Sequence, residues 1–229
     1  MSTLTVYPDA SSGATTVDGF ITSGYQSTIA LAHAVTTGDG ASTISPYTPK
    51  CVLVRALHNG SGFYLGRAFF LFDTAAIPDG ASISGAVLSL FGDAFAYINN
   101  TSSNVDIVAT NPASNNNLVA GDFGNCSFTS FASIAQSSLS QSAYNDFTLN
   151  ASGITNISKT GISKFGAISK LDLDQTTFGS VQDNVMAFLE ADYTGTSSDP
   201  KLVVTYSTTS IKTFDGLAIA SVKTVNGLA

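Results

Sequence analysis

The sequence predicts an all-β protein, an antiparallel jelly-roll β-sandwich followed by a C-terminal β tail. Three observations lead to this prediction. Short runs of alternating apolar residues recur along the chain and are separated by Gly, Pro and Asn. Glu190 is the only Glu among the acidic residues, and Asp favours turns whereas Glu favours helices. The 229 residues, 44% of them hydrophobic, match one large sandwich domain, which we place at 1–206.

The candidate strands follow one another at short spacing. They are 4–7, 29–35, 51–57, 67–73, 83–91, 105–109, 147–149, 165–168, 185–193 and 202–206. Segment 67–73 is apolar on both faces, as expected of a central sandwich strand. The Gly and Pro residues of 36–50 indicate a long loop. A short helix is predicted near 153–160, where Ile154 and Ile157 have helical spacing after a capping-type Ser152.

The composition changes after Tyr206. Residues 207–210 form a polar spacer, and 211–229 contain a tandem repeat. The run Ile-Lys-Thr-Phe-Asp-Gly-Leu-Ala recurs 11 residues later as Val-Lys-Thr-Val-Asn-Gly-Leu-Ala, identical at five of eight positions. Asp-Gly and Asn-Gly are typical of type I′ hairpin turns, because both central residues need a positive φ. Between these two turns lies an uncharged, β-prone run at 217–222.

An apolar strand without charge or proline invites pairing with another sheet. We therefore expect the tail to be donated to a neighbouring subunit by β-augmentation. Two alternatives remain open at this point: the tail folds back onto its own domain as an edge hairpin, or it stays disordered. The expected subunit contacts are Ile211, Phe214, Leu217, Ile219, Val222, Val225 and Leu228.

Charge excludes some classes of protein. Charged residues make up 11% of the chain, against about 25% in ordinary soluble proteins. The net charge is −7 and the nine basic residues are scattered, so no basic stripe for nucleic acid exists. No run of about 20 apolar residues predicts a membrane span. A surface of Ser, Thr, Asn and Gly suits an extracellular protein or a virion surface.

The N-terminal segment 1–7 lacks the basic region and apolar stretch of a signal peptide. The sequence therefore leaves three explanations for an extracellular location. The protein is exported by another route, it is released with a virus, or a leader is missing from this chain.

The sequence predicts that the protein is not an enzyme, because it offers no credible nucleophile or acid–base pair. His33 and His58 lie in unrelated segments without a metal-ligand neighbour, and a strand spanning Cys51 and His58 would place them on opposite faces. Asp172 and Asp174 are two residues apart and would share one face of a strand. They are the candidates for a carboxylate pair or for Ca²⁺, which prefers oxygen ligands, but no EF-hand pattern surrounds them. No cofactor is otherwise expected.

Two kinds of covalent modification are open. Candidate glycosylation sites in Asn-x-Ser/Thr sequences are Asn59, Asn99, Asn100, Asn125, Asn150 and Asn156. They matter only where the protein meets a glycosylation system. Cys51 and Cys126 would form a disulfide in an oxidising compartment and would be buried thiols in the cytosol.

Four segments carry a family resemblance. They are Arg-Ala-Phe-Phe-Leu-Phe-Asp at 67–73, Ile-Pro-Asp-Gly at 77–80, Ala-Val-Leu-Ser-Leu at 86–90 and Asp-Pro-Lys-Leu-Val-Val-Thr-Tyr at 199–206. They resemble the DNRLRE (disaggregatase-related repeat) jelly-roll family, from about residue 50 to 206. The terminal Lys-Thr-x-Asn-Gly-Leu-Ala looks like tails on some phage and environmental single-domain members.

The resemblance implies a jelly roll and supplies no catalytic residue. Such domains occur as carbohydrate-binding modules, in surface proteins and in phage or environmental proteins. Arg67 and Asp73 match the family motif, and we expect them to be structural, as a partly buried ion pair.

The sequence thus predicts a structural subunit of an extracellular fibre or virion appendage, a homopolymer joined head to tail through its C-terminal strand. The alternative is a carbohydrate-binding adhesin module. The chain has no Trp, so its eight Tyr residues would have to supply the aromatic contacts to a glycan.

Overall fold

The computed structural model describes residues 1–10, 15–44, 51–93, 103–178, 182–193, 195–208, 213–214 and 217–218. The strands are β1 (Ser2–Val6), β2 (Asp18–Thr22), β3 (Gly40–Ser42), β4 (Cys51–His58), β5 (Phe63–Asp73), β6 (Ser82–Phe91), β7 (Asn104–Ala109), β8 (Ala132–Ala135), β9 (Tyr144–Thr148), β10 (Ile162–Ser169), β11 (Gln182–Leu189), β12 (Lys201–Ser207), β13 (Thr213–Phe214) and β14 (Leu217–Ala218). The α-helices are α1 (Ile29–Ala34), α2 (Ala151–Thr155) and α3 (Lys170–Leu173), and short 3-10 helices cover Ala120–Asn125 and Gln136–Ser138.

The strands form two antiparallel sheets that face each other. The smaller sheet has the order β1-β12-β6-β9, and the larger has the order β11-β4-β5-β10-β7-β8, with β2 and β3 attached beside β5. The chain passes back and forth between the sheets, because β6, β9 and β12 belong to the smaller one and the strands between them to the larger. This arrangement is a jelly-roll sandwich. The predicted all-β class is confirmed.

The core consists of two clusters on opposite faces of the larger sheet. The first cluster fills the space between the sheets, where Leu88, Phe147 and Leu202 of the smaller sheet are buried. The second lies on the outer face, where Ala32 of α1 and Phe123 of a 3-10 helix cover the strands. The larger sheet is therefore shielded from water on both sides, as sheets with near-continuous apolar strands require.

Strand β5 is the centre of this arrangement. Phe70 and Phe72 point into the first cluster, whereas Phe69 and Leu71 point into the second, as the two-residue side-chain period of a strand dictates. Each fully buried side chain of this size contributes about 1.5–3 kcal/mol of transfer free energy. The prediction that 67–73 is apolar on both faces is confirmed.

Segment 29–35, predicted as a strand, is instead helix α1. Thr28 caps this helix, because its side-chain oxygen accepts a hydrogen bond from the Leu31 N–H at 3.2 Å. Ile29 and Ala32, one helical turn apart, are the buried residues. The three alanines of α1 and the threonine cap outweigh the β tendency of the single isoleucine.

Other differences are smaller. The predicted helix exists, but it begins at Ala151 and its cap is Asn150, whose Oδ1 accepts from the Gly153 N–H at 3.0 Å. Strands β2 and β8 were not predicted, since each is only five or four residues long. Strand β3 lies in the part of the predicted loop that the structure describes, whereas 45–50 lie outside it.

The tail segments that the structure describes form a hairpin. Phe214 pairs with Leu217 and Thr213 with Ala218 across Asp215-Gly216, the dipeptide that predicted a turn. This two-stranded sheet is separate from both sandwich sheets. The sandwich itself ends with β12 at Ser207.

Candidate functional site

A buried ion pair joins the larger sheet to helix α3. Arg67 Nε and Nη2 donate to the two carboxylate oxygens of Asp172 at 2.7 and 3.0 Å, and both side chains are almost completely buried. Arg67 Nη1 donates to the Phe123 carbonyl at 2.7 Å, and the guanidinium lies 4.1 Å from the Phe123 ring centroid. His33 lies close enough for both charges to influence it, although burial is the main cause of its lowered pKa. Together these contacts fix the position of the Arg67 side chain.

This pair corrects two expectations. The partner of Arg67 is Asp172 and not Asp73, which is exposed and accepts a hydrogen bond from the Ala75 N–H at 3.0 Å. Asp172 and Asp174 do not share a face of a strand, since they lie at helix α3 and its C-terminal cap. Asp174 pairs with Lys170 at 2.6 Å on the surface. Each carboxylate is thus paired with a cation of the chain, and the expectation that the two share one face of a strand is wrong.

The two cysteines lie in different clusters. Cys51 belongs to the first cluster and Cys126 to the second, so the larger sheet separates them. Both are among the described residues, and no disulfide joins them. Burial raises the pKa of Cys126 to about 11, and its thiol donates weakly to Thr110 Oγ1 at 3.8 Å. This thiol is therefore protonated at neutral pH, without the thiolate that nucleophilic attack requires.

The candidate glycosylation sites differ in accessibility. Asn59, Asn125 and Asn150 are exposed, whereas Asn156 is half-buried and its amide donates to the Lys164 carbonyl at 2.9 Å. Asn150 is occupied as the cap of α2, and its amide donates to the Ser130 carbonyl at 3.0 Å. The remaining two, Asn99 and Asn100, lie outside the described residues.

The predicted subunit contacts are described only in part. The backbones of Phe214 and Leu217 pair with each other in the tail hairpin. The others, Ile211, Ile219, Val222, Val225 and Leu228, lie outside the described residues.

Described residues line two clefts of the sandwich surface. The first, about 480 Å³ in volume, is lined by the side chains of Asn111, Asn125, Asn156 and Lys164 at the ends of β7 and β10. Lys164 Nζ donates to Asn111 Oδ1 at 3.3 Å across it. We call this the amide cleft. It contains polar groups but no aromatic ring.

The second, which we call the tyrosine cleft, has a volume of about 530 Å³ and lies where β1 ends and β12 begins. Tyr7 and Tyr193 are exposed on its walls, and Asp192, Thr196 and Asp199 also line it. Aromatic faces beside carboxylates form a surface that is apolar and hydrogen-bonding at once. The cleft falls within the size range of small-ligand sites.

A neighbouring strand holds one wall of the tyrosine cleft. Tyr144 Oη on β9 donates to the carbonyls of Ser197 and Asp199, at 3.1 and 3.0 Å. The Lys201 ammonium lies 3.6 Å from the Tyr144 ring centroid. The loop that carries Asp199 is therefore fixed to the smaller sheet before any ligand arrives.

Two carboxyl groups, those of Asp18 and Asp199, are buried at this side of the tyrosine cleft. Asp199 is buried and its Oδ1 has no hydrogen-bond partner in the described part of the chain. Burial, with the charge of Asp192, raises the pKa of Asp199 to about 6. Asp18 is completely buried and accepts from the Ala191 N–H at 2.9 Å, and burial followed by the charges of Glu190 and Asp192 raises its pKa well above the usual range. These groups hold protons at a pH where ordinary aspartates have lost them.

The sequence did not predict the tyrosine cleft, because its walls come from two distant segments, 7–10 on one side and 191–193 with Gly195, Thr196 and Asp199 on the other. Each stretch does contain a Tyr close to an Asp near the end of a strand: Tyr7 and Asp9 come just after β1, and Asp192 and Tyr193 come three and four residues after β11. Only the pairing of β1 with β12 brings the two stretches together.

Within the described ranges, no three His, Cys, Asp or Glu side chains form a group that could hold a metal ion. No helix of that part of the chain is long and apolar enough to cross a membrane.

No family model and no curated protein matches the chain. Among solved structures, the chain is similar to one described as a xylan-binding module CBM15, with a TM-score of 0.39 and 13% identity, covering 91% of this chain and 100% of that one. No assignment of function follows from so distant a likeness.

Proposed function

We propose that this protein is a structural subunit that polymerises into an extracellular fibre or virion appendage by donating its C-terminal tail to the next copy. The observation that supports this most is the tail hairpin, since its strands pair with each other and belong to neither sandwich sheet. The sequence motif around this hairpin, with Asp-Gly or Asn-Gly at its centre, occurs twice after Ser207.

The low stability of short isolated hairpins also supports donation of the tail to another copy. An isolated two-stranded ribbon is marginally stable in water, and this one pairs only two residues per strand. Its free edges and the uncharged run at 217–222 gain stability when another sheet supplies hydrogen bonds and apolar contacts. Donation from one copy to the next is a heterologous contact, which propagates as an open filament when the rotation does not close a ring.

Removing residues 209–229 is expected to abolish assembly and to leave the sandwich folded. The reason is that no pairing within either sandwich sheet involves a described residue beyond Ser207. Sedimentation velocity and negative-stain microscopy measure the assembly, and thermal melting by circular dichroism measures the fold.

The matched control for the tail is a pair of charge insertions. Ile219→Lys places a charge in the proposed donor strand, and Thr208→Lys places the same charge in the spacer. We expect filaments with the second variant and at least tenfold fewer with the first. Filaments formed by the truncated protein would show that the tail is not the link between copies.

Carbohydrate binding is the second candidate, and the tyrosine cleft is the observation that favours it. The flat faces of Tyr7 and Tyr193 can stack on a sugar ring, while the exposed Thr196 hydroxyl can accept a hydrogen bond from one of the sugar hydroxyls. On this reading the protein is an adhesin module and the tail is its attachment to a larger assembly.

Truncated monomer screened on a glycan array is expected to select a small set of neutral saccharides, with Tyr193→Ala weakening the best of them at least tenfold. Because the chain has no Trp, binding can be followed directly by tyrosine fluorescence. Tyr25→Ala is the control, since Tyr25 is also exposed but lies outside the cleft. No saturable binding, or equal losses in both variants, would remove this candidate.

A further inference from the structure

The amide cleft differs in charge from the protein as a whole. The described residues that line it include Lys164 and three asparagines, and none of them is an Asp or a Glu. The whole chain, by contrast, has 16 acidic residues against nine basic ones. A cleft that holds a cation and whose described lining holds no carboxylate attracts a negatively charged group.

The Lys164 ammonium in this cleft has only distant acceptors. Its Nζ donates to Asn111 Oδ1 at 3.3 Å and to the Pro112 carbonyl at 3.4 Å, whereas a charged N–H donor usually lies about 2.7–2.9 Å from its acceptor. No ion pair of the described ranges includes Lys164. Asp73, on the neighbouring strand β5, accepts from the Ala75 N–H instead. The ammonium can therefore take a closer, charged acceptor from a ligand.

Two of the asparagines offer hydrogen-bond acceptors. Asn156 Nδ2 donates to the Lys164 carbonyl at 2.9 Å, and Asn125 Nδ2 donates to Asp122 Oδ1 at 3.2 Å. Both amide nitrogens are thus held by the chain, while no described group donates to the oxygen of either amide. These oxygens are acceptors, so they require a ligand that carries donors such as hydroxyl groups.

The frame of the cleft is fixed before a ligand arrives. Its two loop segments are joined by backbone hydrogen bonds, from the Asn111 N–H to the Asn125 carbonyl at 2.9 Å and from the Ser127 N–H to the Ala109 carbonyl at 2.8 Å. Strand β10, which carries Lys164, pairs with β7 at the same end of the sheet. A site that is already in place loses less conformational entropy on binding than one that must form.

From these observations we infer that the amide cleft binds an acidic saccharide, with a uronate carboxylate on Lys164 Nζ and ring hydroxyls on the amide oxygens of Asn125 and Asn156. A sulfate ion has a charge but no hydrogen for the two amide oxygens, whereas a uronic acid supplies both groups on one ring. The volume of about 480 Å³ lies within the range of small-ligand sites.

This inference goes beyond the two functions proposed above. It does not rest on polymerisation through the tail, and it concerns a different surface from the tyrosine cleft. The two clefts also differ in chemistry, because the tyrosine cleft has aromatic faces for a neutral sugar and the amide cleft has a cation for an acidic one.

Oligosaccharides of galacturonate, glucuronate and mannuronate test the inference. They are titrated calorimetrically into the full-length protein, produced without glycosylation so that Asn125 carries no glycan. We expect saturable binding of at least one oligomer. The methyl ester of the same oligomer is expected to bind at least tenfold more weakly, because the ester removes the charge and keeps the rings and hydroxyls.

Two variants locate the binding. Lys164→Met removes the ammonium and keeps much of the side-chain length, and it is expected to weaken binding of the acidic oligomer at least tenfold. The matched control is Lys170→Met, which changes the net charge equally at a surface lysine that lines neither cleft. We expect this control to bind like the natural chain.

Asn111→Asp is a second variant that does not depend on removing Lys164. Asn111 is exposed and its Oδ1 already accepts from Lys164 Nζ, so an aspartate there pairs with the ammonium and competes with the ligand. We expect at least tenfold weaker binding from a protein whose melting temperature does not fall. If Lys164→Met fails to fold, this variant decides.

Several results would overturn the inference. They are equal binding of the acid and its methyl ester, equal binding by Asn111→Asp and the natural chain, and no saturable binding of any of the three uronate oligomers. A peptide of Asp and Gly that binds as tightly as the best oligomer would also overturn it, since the cleft would then recognise acidic protein segments. All of these results leave the tail and the tyrosine cleft to their own experiments.

Discussion

Replacing Asp172 with asparagine is expected to lower the free energy of unfolding by about 3–5 kcal/mol, the usual cost of breaking a buried ion pair by removing one partner. The variant keeps the shape of the side chain but leaves the Arg67 guanidinium, only 2% exposed, without its counter-charge. The remaining partners, the Phe123 carbonyl and two aromatic rings, do not neutralise it. For a chain of this length about 2–4 °C of melting temperature is lost per kcal/mol, so a drop of roughly 10 °C is expected.

The same helix supplies the matched control. Asp174 pairs with Lys170 four residues earlier, but both side chains are substantially exposed, at 47% and 39%. Asp174→Asn removes the same charge and is expected to cost no more than about 0.5 kcal/mol. Chemical denaturation of the two variants gives the comparison.

A double variant separates charge from packing. Arg67→Met with Asp172→Leu removes both charges and keeps apolar volume, so it is expected to recover most of the stability that Asp172→Asn loses. Equal stability of Asp172→Asn and Asp174→Asn would show that the buried pair does not hold α3 to the sheet.

The carboxyls behind the tyrosine cleft are expected to make the protein less stable as the pH rises from about 4 to about 7. The pKa of Asp199 is about 6 in the folded protein and that of Asp18 is also raised, against an ordinary value of 3.8. In this window the folded protein keeps protons that the unfolded chain has released. The stabilisation is complete below the unfolded pKa and is lost as the pH passes through the folded pKa.

The difference in melting temperature between the natural chain and the double variant Asp18→Asn, Asp199→Asn isolates the contribution of these two carboxyl groups to the pH dependence. The variant has no titratable group at these positions. Its melting temperature minus that of the natural chain is therefore expected to rise by several degrees between about pH 4 and pH 7. Melting curves across that range, with Asp174→Asn as the surface control, give the measurement. A difference that stays constant with pH would contradict the raised pKa values.

Local patterns predicted much of the sandwich. Alternation and turn residues located β4, β6, β7 and β12, and the all-apolar run located the central strand β5. Helix α1 was mistaken for a strand, because a six-residue apolar segment has too few positions to distinguish a period of 2 from one of 3.6. In this segment the Thr28 cap favours the helix, and Thr28 lies just before residues 29–35, which were predicted as a strand.

Contacts between distant residues were the part that the sequence did not predict. Arg67 and Asp172 are 105 positions apart, and the nearer Asp73 matched a motif, so sequence distance favoured the wrong partner. The tyrosine cleft was missed for the same reason, since its residues follow β1 and precede β12, at opposite ends of the sequence. In the tail, by contrast, only two residues separate Phe214 from its partner Leu217, and these two are the Asp-Gly pair that predicted a turn.

The tyrosine cleft and the root of the tail lie at opposite ends of β12, a strand of seven residues and about 20 Å. If copies were stacked end to end along this strand, as the proposed donation of the tail would allow, each copy would cover the cleft of the next. One terminal copy alone then displays an open cleft, and the copy at the other terminus alone displays an undonated tail. Such a fibre has two chemically different tips: elongation by tail capture takes place at the first, and however long the fibre grows, it presents a single cleft to its surroundings.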